Sequence, residues 1–578
     1  MADEYTFYES NSPVSDTEFE FISRQSVWIP DSNNGSYSSG QITFDLANFA
    51  NSNRYIDWKS TVLTIPLCIA VTGTQTFTDS TENAFMASLK NGYHHLINSL
   101  SLSLTNNEVI TIQSFNNLLI NYKILTSFSE TDVSNFATTL GFSKDTSTSP
   151  SFVSGWETVG TNTTAKNSTR GQGVCNNVIG NKDGYANFNT CDLKDGYKFR
   201  QNIGRLTRML STSNNDTDLV EFVTKDSFST IYKNNVVQME TKVITYHILA
   251  TIPMAFLHDF FLKCPLMKNA YYKLTINTNT NITIVQKIAT DGLITETTIQ
   301  SPYGTNPVMI SPCAKNCTST GDGNLTGNAT DANTVTTTLR IVGGNQTGIT
   351  SHPMTQCRIY GSLVEMTPQY EMIYLENKVK KIIYNDILSF NNILNISGTQ
   401  KMSSLGVFTP TSGGTVNVTL TPGLSRLRRL TIFPFISSSA NGLLGNTPMN
   451  SPYAAEPGTC SPYCVITNFN VLLSGQVIYN QNKQYAFENY LEECRPAHSI
   501  NGGLCNGLSS GLLSQVDHDS SYGFITVDLC RHTKESDNIS KSVQLQFTNA
   551  SKHACDFICI LEYEKEINVD VEMGAIIL

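Results

Sequence analysis

Between Val27 and Met366, and again between Val407 and Tyr563, the same short segments recur in the same order, and this constrains the 578-residue chain more than any single motif. The first set opens with Val27-Trp28-Ile29-Pro30, a polar Gly/Ser turn, Gly40-Gln41-Ile42-Thr43-Phe44-Asp45-Leu46 and Leu63-Thr64-Ile65-Pro66-Leu67-Cys68-Ile69. The second opens with Val407-Phe408-Thr409-Pro410, a similar turn, Gly414-Thr415-Val416-Asn417-Val418-Thr419-Leu420 and Leu430-Thr431-Ile432-Phe433-Pro434-Phe435-Ile436. In each set a hairpin follows: Ile97 to Leu104 with Val109-Ile110, and Ile466 to Leu473 with Val477-Ile478. Each hairpin precedes apolar residues at the spacing of one helix face, Phe115, Leu118, Leu119 and Tyr122 in one set and Phe487, Tyr490, Leu491 and Cys494 in the other. The series closes with Val243 to Ile248, Tyr272 to Asn277 and Cys357 to Met366, answered by Phe524 to Leu529, Val543 to Thr548 and Cys555 to Tyr563.

Strict alternation of apolar and polar residues at Ile42, Phe44 and Leu46, and through Ile97 to Leu104, marks half-buried strands. Pro66 inside an apolar run predicts an edge position or a bulge. Pro253 to Met267 reads as a short buried helix that starts at a proline. Asn-, Thr- and Ser-rich composition with only 15% charged residues is poor helix material and suits strands with long polar loops. The expectation is an all-β chain built as a tandem duplication, each copy supplying about eight short antiparallel strands and one helix. Eight such strands fit a jelly roll better than an immunoglobulin-like sandwich, which has fewer. The expected units are an acidic arm at 1–23, a first jelly roll at 24–370 with polar insertions at about 143–235 and 280–355, a second at 371–563, and a tail at 564–578.

Charge narrows the function classes. The net charge of −10, with no long basic run, argues against specific nucleic-acid binding. Six acidic groups and no Lys or Arg precede Arg24, a pattern unlike a secretory signal, and no apolar run reaches the roughly 20 residues of a membrane span. Synthesis in the cytosol is expected, with the 14 cysteines reduced; Cys68, Cys530 and Cys559 read as small core residues.

These features together resemble the double jelly-roll major capsid proteins of viruses, most closely those of virophages and polinton-like viruses. The resemblance spans Val27 to Tyr563 and lies in the order of the repeated segments, the helix inside each copy and the insertions in the first. It implies a homotrimer forming a pseudo-hexameric capsomer, with neighbouring capsomers and penton or other minor capsid proteins as partners, in the icosahedral shell of a double-stranded DNA virus. It also implies that the two insertions form much of the outer turret and subunit contact, and that the chain resides in the virion after assembly inside the host cell. A minor vertex protein fits less well, because vertex proteins of this group resemble a single jelly roll. From another class, a carbohydrate-binding or glycan-processing sandwich remains the alternative, although the three tryptophans, Trp28, Trp58 and Trp156, make a sparse sugar platform.

No catalytic, cofactor or metal residue is assigned. Gly507-Leu508-Ser509-Ser510-Gly511 matches a serine-hydrolase elbow, but the Gly- and Asn-rich stretch before it is not the apolar strand that the elbow requires. Asp517-His518-Asp519 and His94-His95 have no companion cluster at metal-ligand spacing and read as surface or hairpin-end residues. Of the Cys-x-x-x-Cys pairs, Cys313/Cys317, Cys460/Cys464 and Cys555/Cys559, the last reads as strand packing, whereas Cys313/Cys317 falls short of the four ligands of a structural zinc site. A disulfide or a metal at Cys313/Cys317 stays open. The sequons at Asn162, Asn167, Asn324, Asn328 and Asn345 follow from an Asn/Thr-rich composition. The basic stretches Lys378 to Lys381 and Arg426 to Arg429 read either as solvated strand edges or as docking points for a neighbour's acidic arm.

Overall fold

The computed structural model describes residues 21–37, 39–47, 53–73, 87–89, 92–111, 113–135, 140–142, 243–279, 283–287, 294–298, 305–310, 335–341, 356–390, 393–402, 408–436, 464–497, 511–515, 518, 522–530, 539–551 and 554–577. The insertion at 143–235 with Trp156, Asn162 and Asn167 lies outside them, as do Cys313, Cys317, Cys460, Ser509, Asp517, Asp519, Asn324, Asn328 and Asn345.

The first half supplies strands β1 (Phe21–Pro30), β2 (Gln41–Asp45), β3 (Tyr55–Gly73), β4 (Ile97–Leu104), β5 (Asn107–Ile110), β6 (Val243–Pro253), β7 (Tyr272–Thr278) and β8 (Arg358–Met366). The second supplies β9 (Val379–Ser389), β10 (Thr415–Leu424), β11 (Leu427–Ile436), β12 (Ile466–Leu473), β13 (Gln476–Val477), β14 (Ile525–Asp528), β15 (Lys541–Asn549) and β16 (Cys555–Asp570). The first set hydrogen-bonds as β1-β8-β3-β6 and β2-β7-β4-β5, the second as β9-β16-β11-β14 and β10-β15-β12-β13. Strand for strand, the two orders are the same, and each interleaves its strands between two sheets as a jelly roll does. The fold is two tandem jelly rolls.

Burial explains why the two kinds of sheet read differently in sequence. In β7 and β15 buried and more accessible residues alternate, because one face meets the core and the other does not. By contrast, Leu430 to Phe435 of β11 and Cys555 to Leu561 of β16 are almost continuously buried. Their sheet is covered on both sides. The helix α1 (Asn116–Ser127) follows β5 and α5 (Phe487–Ala497) follows β13, as the repeated stripe requires. Between β6 and β7 lie α2 (Met254–Leu257) and α3 (Asp259–Lys263), and α4 (Pro368–Glu376) joins the two rolls.

Several expectations need correction. Val27 to Pro30 belongs to β1, whose counterpart is β9; Phe408–Pro410 instead pairs with Gln400–Met402 in a separate two-stranded ribbon. Phe21 to Ser23 are the start of β1, not the end of an arm. β16 continues through Glu564 to Asp570, and Ala575–Ile577 folds back against it, so the stretch from 564 is sheet and not a tail. Part of the second insertion is also sheet: Val335–Ile341 pairs with β3 beyond the reach of β8, and Thr283–Lys287 extends the sheet further. Pro66 sits in a central strand. On one side it faces β6, and on the other it falls between the last β8 pair, at Thr64, and the first pair with the inserted strand, at Leu67. The partner changes there, so the position is compatible with a residue that lacks an N–H. The helix expected after Pro253 is two, because His258 is extended (φ −159°) and its Nδ1 accepts from Phe260 N at 3.1 Å, capping α3.

Candidate functional site: the junction between the two jelly rolls

Among the described residues, an extended constellation of buried polar and aromatic groups lies where the first roll meets the second. α1 rests on the outer face of the β9-β16-β11-β14 sheet. The Tyr122 ring stands edge-on to Phe433 and Phe524, with centroids 6.4 and 5.3 Å away, and the Arg429 guanidinium lies 5.6 Å from its centroid. Its hydroxyl accepts from Thr526 Oγ1 at 3.1 Å and sits 3.7 Å from Cys494 Sγ of α5. Beside it, Lys123 Nζ is 2.8 Å from Glu562, whose other carboxylate oxygen is 3.6 Å from Arg429 Nε. Burial alone lowers the Arg429 pKa, but Glu562, with Tyr122 and Cys494, more than offsets it and raises it above the ordinary value. Leu512 N donates to Leu125 O at 2.9 Å at the C-terminal end of α1.

Along the edge of the same sheet the hairpin end and α3 complete the contact. Val109 O accepts from Tyr384 Oη at 2.6 Å and from Lys565 Nζ at 2.7 Å, and Gln113 Oε1 accepts from Ser389 N and Oγ, both at 3.1 Å. Asp259 Oδ2 accepts from Asn385 N at 3.0 Å, and Phe260 meets the Tyr384 ring edge-on at 5.3 Å. Asp386, fully buried, has His258 Nε2 at 3.4 Å, Lys565 Nζ at 3.5 Å and Tyr563 Oη at 3.3 Å. Burial pushes its carboxyl pKa up, yet His258 and Lys565 hold it below the usual carboxylate range. Beyond β16, Lys268 N donates to Val571 O at 3.0 Å and Thr105 Oγ1 to Gly574 O at 2.7 Å. Gly574 has φ +62°, and a Cβ there would fall 2.4 Å from the Ala270 backbone, so close approach requires glycine.

This junction is heterologous: the first roll contributes α1, a hairpin end and α3, and the second contributes one sheet face and its edge. Chemically, it holds two bodies rigidly. Among the described residues no group of three or more His, Cys, Asp and Glu side chains could hold a metal ion. No helix among them is long and apolar enough to cross a membrane.

The residues singled out from sequence are scattered. His94 and His95 are buried in a single 3-10 turn (Tyr93–Leu96) with ring centroids 4.2 Å apart, so they are core residues and not surface ones. Burial lowers the His94 pKa to about 3. His518 is buried too, against Phe487 and Tyr490 at 5.3 and 4.9 Å, with Nε2 3.2 Å from Phe524 O. Cys555 and Cys559 are buried packing residues, and burial raises the Cys559 thiol to about 12. Cys530 is only partly buried, with Sγ 3.4 Å from Arg428 Nη1, and so is not the core residue expected. The basic stretches find their partners within the chain. Arg426 and Arg428 pair with Glu564, Arg426 and Lys381 with Glu566, and Lys378 stands 3.8 Å from Asp570. Their acidic partners sit on β16 at alternate positions, and β11 is a central strand, so an edge explains Lys378 to Lys381 but not Arg426 to Arg429. The alternation Glu562, Glu564, Glu566 was the available sequence signal.

No family model matches the sequence, and no curated protein does. Solved structures do resemble the fold over nearly its whole length. The chain is similar in fold to viral major capsid proteins. The Faustovirus major capsid protein superimposes with a TM-score of 0.41 at 10% identity, covering 97% of this chain and 94% of that one. For the mavirus major capsid protein the TM-score is 0.39 at 9% identity, with 99% and 94% covered. A quasi-atomic structure of the PBCV-1 virus capsid gives 0.37 at 7% identity, with 98% and 99% covered. At such TM-scores the fold assignment rests on the strand order of the two rolls.

Proposed function

We propose that this chain is the major capsid protein of a double-stranded DNA virus, and that three copies associate into a pseudo-hexameric capsomer that tiles an icosahedral shell. The observation that carries the reading is the head-to-tail junction between two rolls of one topology. A heterologous contact repeated between like bodies generates a ring when the rotation closes. Two rolls per chain let three chains occupy six like positions. The chain is then a building block and not an enzyme, works in the virion after assembly inside the host cell, and meets neighbouring capsomers and vertex or other minor capsid proteins. The insertions at about 143–235 and 280–355, both in the first roll, form the outer turret in this reading.

The test is the mass of the purified protein by light scattering, with negative-stain images of the same sample. A particle near three times 63.7 kDa with a hexagonal outline is expected. A protein that stays monomeric at every concentration overturns the reading and favours a glycan-binding sandwich, which a glycan screen would then register.

A further inference from the structure

The duplication allows the two ends of the junction to be compared position by position. Leu63-Thr64-Ile65 of β3 and Leu430-Thr431-Ile432 of β11 are the same place in the two rolls, so Val62 is the counterpart of Arg429. Crossing the sheet at that level, Val62 pairs with Tyr360 and Tyr360 with Trp28. In the second roll Arg429 pairs with Glu562 and Glu562 with Ile387. The second row is closed: Ile387, Glu562 and Arg429 are 5%, 3% and 9% exposed, with Tyr122 and Lys123 of α1 against the Glu562–Arg429 pair. The first row is open. Trp28 is 49% exposed, and Tyr360 and Val62 are partly exposed. Along β1, the exposed polar residues Ser26 and Arg24 separate Trp28 from two further exposed apolar residues, Phe21 and Ile22.

The other half of the junction shows the same imbalance in reverse. After the turn of the first hairpin, Val109 is fully buried, its carbonyl held by Tyr384 and Lys565 of the second roll. After the turn of the second hairpin, Val477 is 52% exposed. Among the described residues, one chain therefore closes a single junction and leaves exposed the Trp28 side of its first sheet, although Thr64 and Pro66 farther along β3 are buried, and the hairpin end of its second roll.

We infer that the outer face of β1-β8-β3, on its Trp28 side, is the docking surface for the second roll of another copy of this chain, which enters with its β12–β13 hairpin and repeats the internal junction. The inference rests on the capsomer reading and adds to it which two faces meet. An exposed tryptophan on such a face is the kind of side chain that dominates association energy. The occupant is a second copy because the molecule already contains this contact once, between rolls of the same topology, and presents both of its halves again.

The experiment compares full-length wild type with Trp28→Asp and Val477→Asp by light scattering over a concentration series, with thermal unfolding as a folding control. Each substitution is expected to raise the concentration for half-association at least a hundredfold while the dissociated chain melts as wild type does. A wild-type trimer that persists in either variant overturns the inference and leaves the capsomer reading intact. A wild type that never associates sinks the reading itself. Should Trp28→Asp fold poorly, Trp28→Ala and Tyr360→Asp probe the same face, with persistence of the trimer in both counting against the inference.

Discussion

The two jelly rolls share their strand order, yet the same row of one sheet is a buried ion pair flanked by Ile387 in the second and a more open strip that ends in an exposed tryptophan in the first. What covers a face decides its chemistry. Where α1 seals the sheet, Arg429 and Glu562 hold each other in one geometry, and Lys123 reaches the carboxylate from the facing roll. A buried charge pair of this kind adds little net stability but penalises any other arrangement. Where nothing among the described residues seals the sheet, the row holds large side chains that tolerate water on one side, Trp28 and Tyr360, with the Arg358 guanidinium 4.1 Å from the Trp28 ring centroid. The internal junction is thus fixed by specificity, and the open face relies on adaptable apolar area.

Substitutions on the covered face should break this contrast most severely. Tyr122→Ala removes a fully buried ring packed against Phe433 and Phe524 and is expected to cost about 3–5 kcal/mol, read by urea unfolding. A loss below about 1 kcal/mol would mean that α1 is not what seals the second roll. Next comes Glu562→Ala. It leaves Arg429 buried without its carboxylate and should cost about 3 kcal/mol, with most of the loss restored in Glu562→Ala/Arg429→Leu if the unpaired charge is the cause.

How much of this was legible in sequence follows from the same division. Strands that face their own core keep the alternation or the continuous apolar run that core packing demands, and β2/β10, β3/β11, β4/β12 and β7/β15 were recognisable as pairs for that reason. The first strand of each roll was not. Phe21 to Pro30 lies at a sheet edge with an exposed face, whereas Val379 to Ser389 lies at the matching edge beneath α3, so Tyr384 and Asp386 serve the neighbouring roll and no common pattern survives. The polar turn and proline near Val407 to Pro410 imitated the first strand only in local turn chemistry. The junction itself was hidden because its members, Tyr122, Lys123, Asp386, Arg429 and Glu562, are far apart in sequence and become neighbours only when the second roll closes on the first. Arg426 to Arg429 did stand out as dense charge, but its partners on β16 could be found only from the acidic alternation there.

A pH series sharpens the comparison from the first roll's side. Burial lowers His94 from the ordinary imidazole value of 6.5 to about 3. Because the folded pKa lies below the unfolded one, this contribution to stability is fully present above about pH 6.5 and is lost as the pH falls towards 3. The loss is roughly 1.4 kcal/mol for each pH unit within that window. His94→Gln should flatten the slope of unfolding free energy against pH between these limits, and hydrogen exchange should register the acid-induced loosening first in the Tyr93–Leu96 turn and β4. An unchanged slope in His94→Gln would show that imidazole burial is not the source of acid sensitivity.

The smallest expected effect is the most discriminating one. Trp28→Ala, measured by urea unfolding at a concentration where the chain is dissociated, removes a ring that is half exposed and contributes mainly its contact with Arg358. The cost should be about 0.5–1 kcal/mol, the scale of an exposed cation–π contact and well below that of Tyr122→Ala. A tryptophan on an edge strand that gives its own fold so little must answer to something outside the chain. If Trp28→Ala instead costs as much as Tyr122→Ala, the face around it is sealed within the molecule, and the two rolls differ in sequence without differing in what covers them.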